Sequence, residues 1–169
     1  MLDRLWNGWR SHYVQNAFTG SDKQQTSSVF TQILNSGLSD EESHIIFRGS
    51  LVFVILNAFP YASGHMLVLP YREIANLEDL TDDESIELWA TVTDAVRAVK
   101  ASHQPNALNV GINLGASAGG SIAQHLHVHV VPRWEGDANF MTSIAETRTL
   151  PESLSETASR IRAAWPVRK

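Results

Sequence analysis

The chain of 169 residues contains no cysteine. That absence excludes disulfides, thiolate nucleophiles, iron–sulfur clusters and cysteine-ligated zinc. It leaves the compartment open, because a cysteine-free chain folds in either redox environment. Positive charge is scarce: 13 Lys and Arg stand against 18 Asp and Glu, the net charge is −5, and no basic run occurs. A surface that tracks nucleic-acid phosphates is therefore not expected. Long apolar runs are also missing. The longest, Leu51 to Leu56, falls far short of the roughly 20 residues a membrane helix needs. The opening Met1-Leu2-Asp3-Arg4-Leu5-Trp6 carries charges where a signal peptide has an apolar stretch. The expectation is a soluble, cytoplasmic protein with no membrane or nucleic-acid partner.

What is present is enough to build a core. Hydrophobic residues make up 43% of the chain and charged residues 18%, a globular composition rather than a disordered one. At this length about two thirds of the chain's surface can be buried, and a single domain over 1–169 is expected. Leu2, Leu5, Trp6, Trp9 and Tyr13 recur at helical spacing and predict a short amphipathic helix within a helical extension over 1–37. Val29, Phe30, Ile33 and Leu34 predict a second short helix that stops near Gly37. Strands are predicted at Ile45–Phe47, Leu51–Leu56, Met66–Leu69, Leu108–Leu114 and His125–Val131, with Pro70 and Pro132 closing the third and fifth. Thr81 and Glu84 form a capping-box pattern. They open a long helix to about Ala101, with an apolar stripe read as Ile86, Trp89, Ala90, Thr93, Val96 and Val99. A last helix is expected at about 153–165, before Pro166. Neighbouring strands interrupted by one long helix predict an α+β fold with a largely antiparallel sheet and a core over about 44–141.

The chemistry concentrates in His125-Leu126-His127-Val128-His129-Val130-Val131, which holds three of the seven histidines at alternating positions. On a strand such residues share one face, while Leu126, Val128 and Val130 turn the other way into a core. A helix would scatter them. Three readings of an imidazole row are open. One is a metal site, since His-x-His on a strand is a good zinc fragment. Another is phosphate chemistry, in which an imidazole nitrogen attacks phosphorus while its neighbours orient it or move protons. The third is a structural cluster. Just upstream, Asn113-Leu114-Gly115-Ala116-Ser117-Ala118-Gly119-Gly120-Ser121 supplies small residues and hydroxyls. A loop of this kind lets an anion approach backbone N–H groups closely and suits a phosphate better than a metal. Asn57 and His65, within Asn57-Ala58-Phe59-Pro60-Tyr61-Ala62-Ser63-Gly64-His65, add a group able to bond ribose or base and an imidazole that could lie near phosphate.

Together these residues resemble the histidine triad superfamily. Its pattern His-φ-His-φ-His-φ-φ, with φ apolar, fits His125 to Val131 at every position. The stretch from Asn57 through His65 to Pro70 is similar to the family's nucleotide-binding strand and loop. The run from Asn113 to Ser121 is similar to its phosphate loop. Pro132 to Met141, Glu146 to Glu152 and Leu5-Trp6-x-x-Trp9 resemble the bacterial diadenosine tetraphosphate phosphorylase-like branch.

The resemblance implies a largely antiparallel sheet of about five strands with two main helices and short terminal helices, usually as a homodimer whose sheets join; the aromatic N-terminal stripe and Trp165 leave a higher homo-oligomer open. It implies a nucleotidyl hydrolase or transferase that cleaves dinucleoside polyphosphates, with inorganic phosphate or water as acceptor. The alternatives are a nucleoside phosphoramidase or a low-turnover nucleotide sensor. By the same resemblance, His127 attacks the α-phosphorus and forms a nucleotidyl-histidine. His125 holds or polarises it, and His129 contacts the phosphate and helps proton transfer. Asn57 binds ribose; Asn113, Gly120 and Ser121 cradle phosphate; His65 and Trp134 line the substrate channel. Some members hold a structural zinc with a Cys-x-x-Cys pair, a histidine after the third strand and the first triad histidine. Ser28, Thr31 and Glu73 stand at the matching positions here. Two hydroxyls and one carboxylate make a poor zinc set, so neither a structural zinc nor any required cofactor is expected.

Overall fold

A computed structural model describes residues 3–4, 27–118, 122–137, 147–148 and 150–167. Five strands form one antiparallel sheet: β2 (Ile45–Arg48), β3 (Val52–Leu56), β4 (Met66–Pro70), β5 (Ala107–Ile112) and β6 (Val128–Arg133), in the order β2-β3-β4-β6-β5. The fold is α+β, as the alternation of strand pairs and one long helix predicts. A separate two-residue ladder pairs β1 (Asp3–Arg4) in parallel with β7 (Thr147–Arg148). Asp3 and Arg4 are thus extended, which corrects the helix expected to begin at Leu2. The remainder of that expected helix lies outside the described residues.

The middle of the sheet explains its sequence. Every residue of β3 and β4 is buried, and a strand buried on both faces reads as a continuous apolar run rather than an alternating one. On one face lies α3 (Asp82–His103). Its Leu88, Val92, Ala95 and Val99 share a cluster with Val54, Leu56, Met66, Val68, Val128 and Val130. Ala158 and Ile161 of α4 (Leu154–Ala163) complete that cluster. On the opposite face α1 (Val29–Leu34) packs Phe30 and Ile33 with Phe53, Ile55, Leu67 and Leu69. Each such side chain contributes about 1.5–3 kcal/mol when fully buried. A further helix, α2 (Asp40–Ser43), was not anticipated; Ser39 and Glu42 close a capping box at its start.

Three other expectations need correction. The long helix forms where Thr81 and Glu84 predict it, and Val99 and the partly buried Val96 pack as expected, but the rest of the packed stripe is offset from the expected one. Ile86 is 69% exposed and Trp89 45%, while Leu88, Val92, Ala95 and Val99 are buried. The true stripe contains Glu84, Thr91, Asp94 and two small alanines, which weigh little in a hydrophobic period. Pro70 ends β4 as expected, though from within the ladder, where it pairs with Val52; Pro132 does not close β6, which pairs it with Leu108 and runs on to Arg133. The β4–β6 ladder covers only Met66–Val68 against Val128–Val130. Each proline therefore has a single neighbouring strand, where a residue without an N–H is tolerated. Finally, the fifth strand begins at Val128, so His125, Leu126 and His127 precede the ladder and only His129 lies within it. The three residues expected to turn into the core, Leu126, Val128 and Val130, are all buried. Among the described residues no helix is long and apolar enough to cross a membrane.

The bend into β4 depends on one glycine. Gly64 has φ +81, and a Cβ there would lie 3.1 Å from Val99 Cγ2 and 3.2 Å from Pro132 Cγ. Gly64→Ala combines a left-handed backbone with a tight contact, and the backbone strain alone is of order 1–3 kcal/mol. The expected result is a loss of about that size in urea-induced unfolding. An unchanged midpoint and slope would show that the bend relaxes without strain.

Candidate active site

Strand register brings the histidines together. Leu67 pairs with His129 across β4 and β6, and His65 stands just before β4. Its Nε2 lies 2.9 Å from His129 Nδ1. The His127 and His129 rings are 4.9 Å apart. His125, before the ladder, is held through its own ring, with Nε2 2.9 Å from the Pro70 carbonyl and Nδ1 2.7 Å from Ser28 Oγ. Phe30 of α1 packs against His125 and His127, both at 5.5 Å between centroids. His65, His125 and His127 are all buried.

The hydrogen bonds fix where each proton sits. A carbonyl only accepts, so His125 carries its proton on Nε2 and Ser28 Oγ donates to its Nδ1. The same argument puts a proton on His127 Nδ1, which donates to the His125 carbonyl at 2.7 Å. That leaves the lone pair of His127 on Nε2, which no described residue engages. His65 Nδ1 lies 3.1 Å from the Tyr61 N–H and 3.3 Å from Asn57 Nδ2. Asn57 presents its amide nitrogen there because its Oδ1 accepts from the Phe59 N–H at 3.0 Å. Two donors converge on Nδ1, so His65 is protonated on Nε2 and donates to His129. His129 must then carry its proton on Nε2, a buried atom without a partner among the described residues. The cluster therefore presents one open nitrogen lone pair on His127 and one uncommitted N–H on His129.

Burial keeps these rings neutral. It lowers the pKa of His125, His127 and His129; that of His129 falls to about 4, with the neighbouring His127 adding to the effect. Desolvation disfavours the imidazolium form, so near neutral pH His127 holds its lone pair without needing a base to free it.

The other expected residues are distributed unevenly. Asn57 touches His65, so it belongs to the cluster. Asn113 follows Ile112, the partner of Val128, and so stands just past the end of that ladder, at the end where His127 lies. Gly120 and Ser121 lie outside the described residues. Trp134 follows β6, roughly 16 Å along the strand from His129 at about 3.3 Å per residue, and does not join the cluster. Two residues were not anticipated. Phe30 reads in the sequence as packing only. Tyr61 lies with its ring nearly parallel to His129 at 6.2 Å and 4.7 Å from His65, and is 44% exposed. Its place between Asn57 and His65 was the available signal.

The HIT domain family matches residues 39–136. The AP-4-A phosphorylase of Mycobacterium tuberculosis is 47% identical over 167 residues, covering 97% of this chain and 85% of that protein. This chain belongs to the HIT family. The asymmetrical bis(5'-nucleosyl)-tetraphosphatase of Schizosaccharomyces pombe is 34% identical over 95 residues, 56% of this chain and 52% of that one. Among solved structures, a zinc-bound histidine triad family protein from Mycobacterium smegmatis superposes with a TM-score of 0.66 at 28% identity, over 82% of this chain and 93% of that one. A Hit-like protein from Bartonella henselae gives 0.68 at 26% identity, over 85% and 99%.

A zinc-bound HIT relative makes the positions of Ser28, Thr31 and Glu73 a test of fit. They do converge on His125, but as hydrogen-bonding groups. The Ser28 N–H donates to Glu73 Oε1 and Oε2 at 2.9 and 2.8 Å, and Thr31 Oγ1 donates to Oε2 at 2.7 Å. Burial pushes the Glu73 pKa up, but the hydrogen bonds from Ser28 and Thr31 outweigh it and hold the carboxyl below its usual value. The imidazole nitrogen facing this group, His125 Nδ1, already accepts from Ser28. A zinc ion needs deprotonated ligands with free lone pairs, and this donor set does not fit one.

The depressed histidine pKa values set the direction of a pH effect. Between pH 6.5 and about 4 the unfolded chain binds protons that folded His129 refuses, so stability falls as pH drops through that window. Unfolding midpoints measured from pH 7 to 4.5 are expected to fall more steeply for the wild type than for His129→Asn. Parallel slopes would mean that His129 is not held neutral.

Proposed function

We propose that this HIT protein is a phosphorylase of dinucleoside polyphosphates such as diadenosine tetraphosphate. The observation that carries the reading is the open Nε2 lone pair of buried His127, with Nδ1 tied to the His125 carbonyl. An imidazole locked in this tautomer is a ready nucleophile. Its Nε2 attacks the α-phosphorus, the N–P bond forms, and the bond to the bridging oxygen breaks to release ATP. The ring gains positive charge as it does so, and its Nδ1–H bond to the His125 carbonyl strengthens. The His129 Nε2–H meets the phosphate oxygens and helps move the proton. Inorganic phosphate then attacks the nucleotidyl-histidine, giving ADP and restoring His127.

In this reading Asn57 orients His65 and meets ribose, and Asn113, Gly120 and Ser121 cradle phosphate. Trp134 contacts only the end of a long substrate remote from the reacting phosphorus. The 47% identity to a relative named AP-4-A phosphorylase favours phosphate over water as acceptor. Product analysis with diadenosine tetraphosphate tests this. ADP plus ATP, formed only with phosphate present, is the expected result, and His127→Ala is expected to abolish turnover while nucleotide binding remains. AMP plus ATP without phosphate dependence would make the protein a hydrolase, and full turnover by His127→Ala would overturn the mechanism.

The same reading includes a homodimer. β5 is an edge strand with Val110 exposed, and an open edge is a template for pairing. Light scattering is expected to give a mass of at least two chains; a monomer at micromolar concentration would remove the dimer.

A further inference from the structure

His125 and His127 precede the β6 ladder, so the regular sheet pairing that fixes His129 does not hold them. Near them, the His125 N–H reaches the Ile122 carbonyl only at 3.5 Å, while the Leu126 N–H bonds the Ile74 carbonyl at 2.6 Å. What holds His125 is its ring, clamped between the Pro70 carbonyl and Ser28 Oγ. The His125 carbonyl in turn receives His127 Nδ1–H and so decides which nitrogen of the nucleophile is free.

Ser28 is held just as closely. It is the N-cap of α1, where its Oγ accepts from the Thr31 N–H at 3.2 Å, and its own N–H is bound by Glu73. Thr31 Oγ1 lies 3.1 Å from Ser28 Oγ and donates to Glu73. Glu73 comes from the segment after β4, Ser28 and Thr31 from the start of α1, and His125 from the lead-in to β6. Three separate stretches of chain meet at Ser28, and both Glu73 carboxylate oxygens are committed.

We propose that Glu73, Thr31 and Ser28 form a metal-free clamp that positions the nucleophile, holding His125 by hydrogen bonds at the place where zinc-containing relatives are expected to use an ion. This rests on His127 as the nucleophile. The three are positioning residues: they act on His127 through the ring and carbonyl of His125. A zinc ion is dispensable here because His125 Nδ1 already accepts from Ser28 and both Glu73 oxygens already accept hydrogen bonds from Ser28 and Thr31.

The experiment has a readout that needs no substrate. Nitrogen chemical shifts of ¹⁵N-histidine-labelled protein report the His127 tautomer. Wild type is expected to show a single Nδ1–H form and no stoichiometric zinc by elemental analysis when purified without chelator. Glu73→Gln is expected to turn that signal into a tautomer mixture. It should also lower kcat by about 10- to 100-fold, the range seen when groups that orient a functional imidazole are removed, with KM little changed.

Thr31→Val serves as the second variant should Glu73→Gln unfold. The triple change Ser28→Cys, Thr31→Cys and Glu73→His installs a zinc set with His125. It is expected to bind one zinc, recover the single tautomer and become sensitive to chelators. Near-stoichiometric zinc in the wild type, or an unaltered His127 tautomer and kcat in Glu73→Gln and Thr31→Val, would overturn the clamp. If the wild type shows the Nδ1–H form and the variants lose it while no dinucleotide is cleaved, the clamp stands and the phosphorylase reading fails.

Discussion

The antiparallel pairing of β4 with β6 is the constraint on which the rest depends. It is short, three residue pairs from Met66–Val130 to Val68–Val128, yet it joins the central strand of the sheet to the strand that carries His129. Residues that alternate along β6 divide between an apolar layer under α3 and the imidazole layer beneath α1. A slip of one residue would exchange the two sets, sending His129 into the valine cluster and Val128 and Val130 toward the site. The apolar layer is thus what keeps the chemistry in register. Loss of core packing at Val68 or Val128 would be felt as misplaced histidines before it was felt as lost secondary structure.

Around that register the site is built on triad imidazoles that burial holds neutral. Its order comes from the direction of donation: the Tyr61 main chain to His65, His65 to His129, and separately Ser28 to His125 and His127 to the His125 carbonyl. The Tyr61 N–H only donates and the Pro70 and His125 carbonyls only accept, and these fixed ends set the direction of the imidazole and hydroxyl links between them. The nearest carboxylate in this network, Glu73, reaches His125 through Ser28 and does not touch the nucleophile. Reactivity therefore arises from burial and tautomer, and charge enters with the substrate.

Much of this was legible in the sequence, for identifiable reasons. The His125-x-His127-x-His129 spacing carries its own geometry. The apolar runs of β3 and β4 are long enough to require cover on both faces. Ser28, Thr31 and Glu73 could be picked out because hydroxyls and a carboxylate stand where metal ligands would be expected. The face of α3 was legible only at its C-terminal end, at Val96 and Val99. Ile86 and Trp89 outweigh Leu88, Ala95 and Ala98 in any hydrophobic period, whereas close packing on a sheet favours the small residues. Tyr61 and Phe30 were missed as parts of the site because an aromatic side chain carries no sign of which ring it will lie against. The end of pairing at Val128 could not be read either, since residues 125–130 alternate throughout and only tertiary contacts decide where a ladder starts.

The match to the HIT domain begins at residue 39 and ends at 136, leaving out both α1 and α4. Yet Phe30 and Ser28 contact the triad, and Ala158 and Ile161 belong to the same apolar cluster as Val54 and Val130. Arg162 also donates to the carbonyls of Ile45 and Asp40, tying α4 to the first strand of the sheet. The stretch that the family match marks out is therefore narrower than the stretch that holds itself together. A fragment trimmed to residues 39–136 would keep every histidine of the triad and lose the surfaces those histidines rest on.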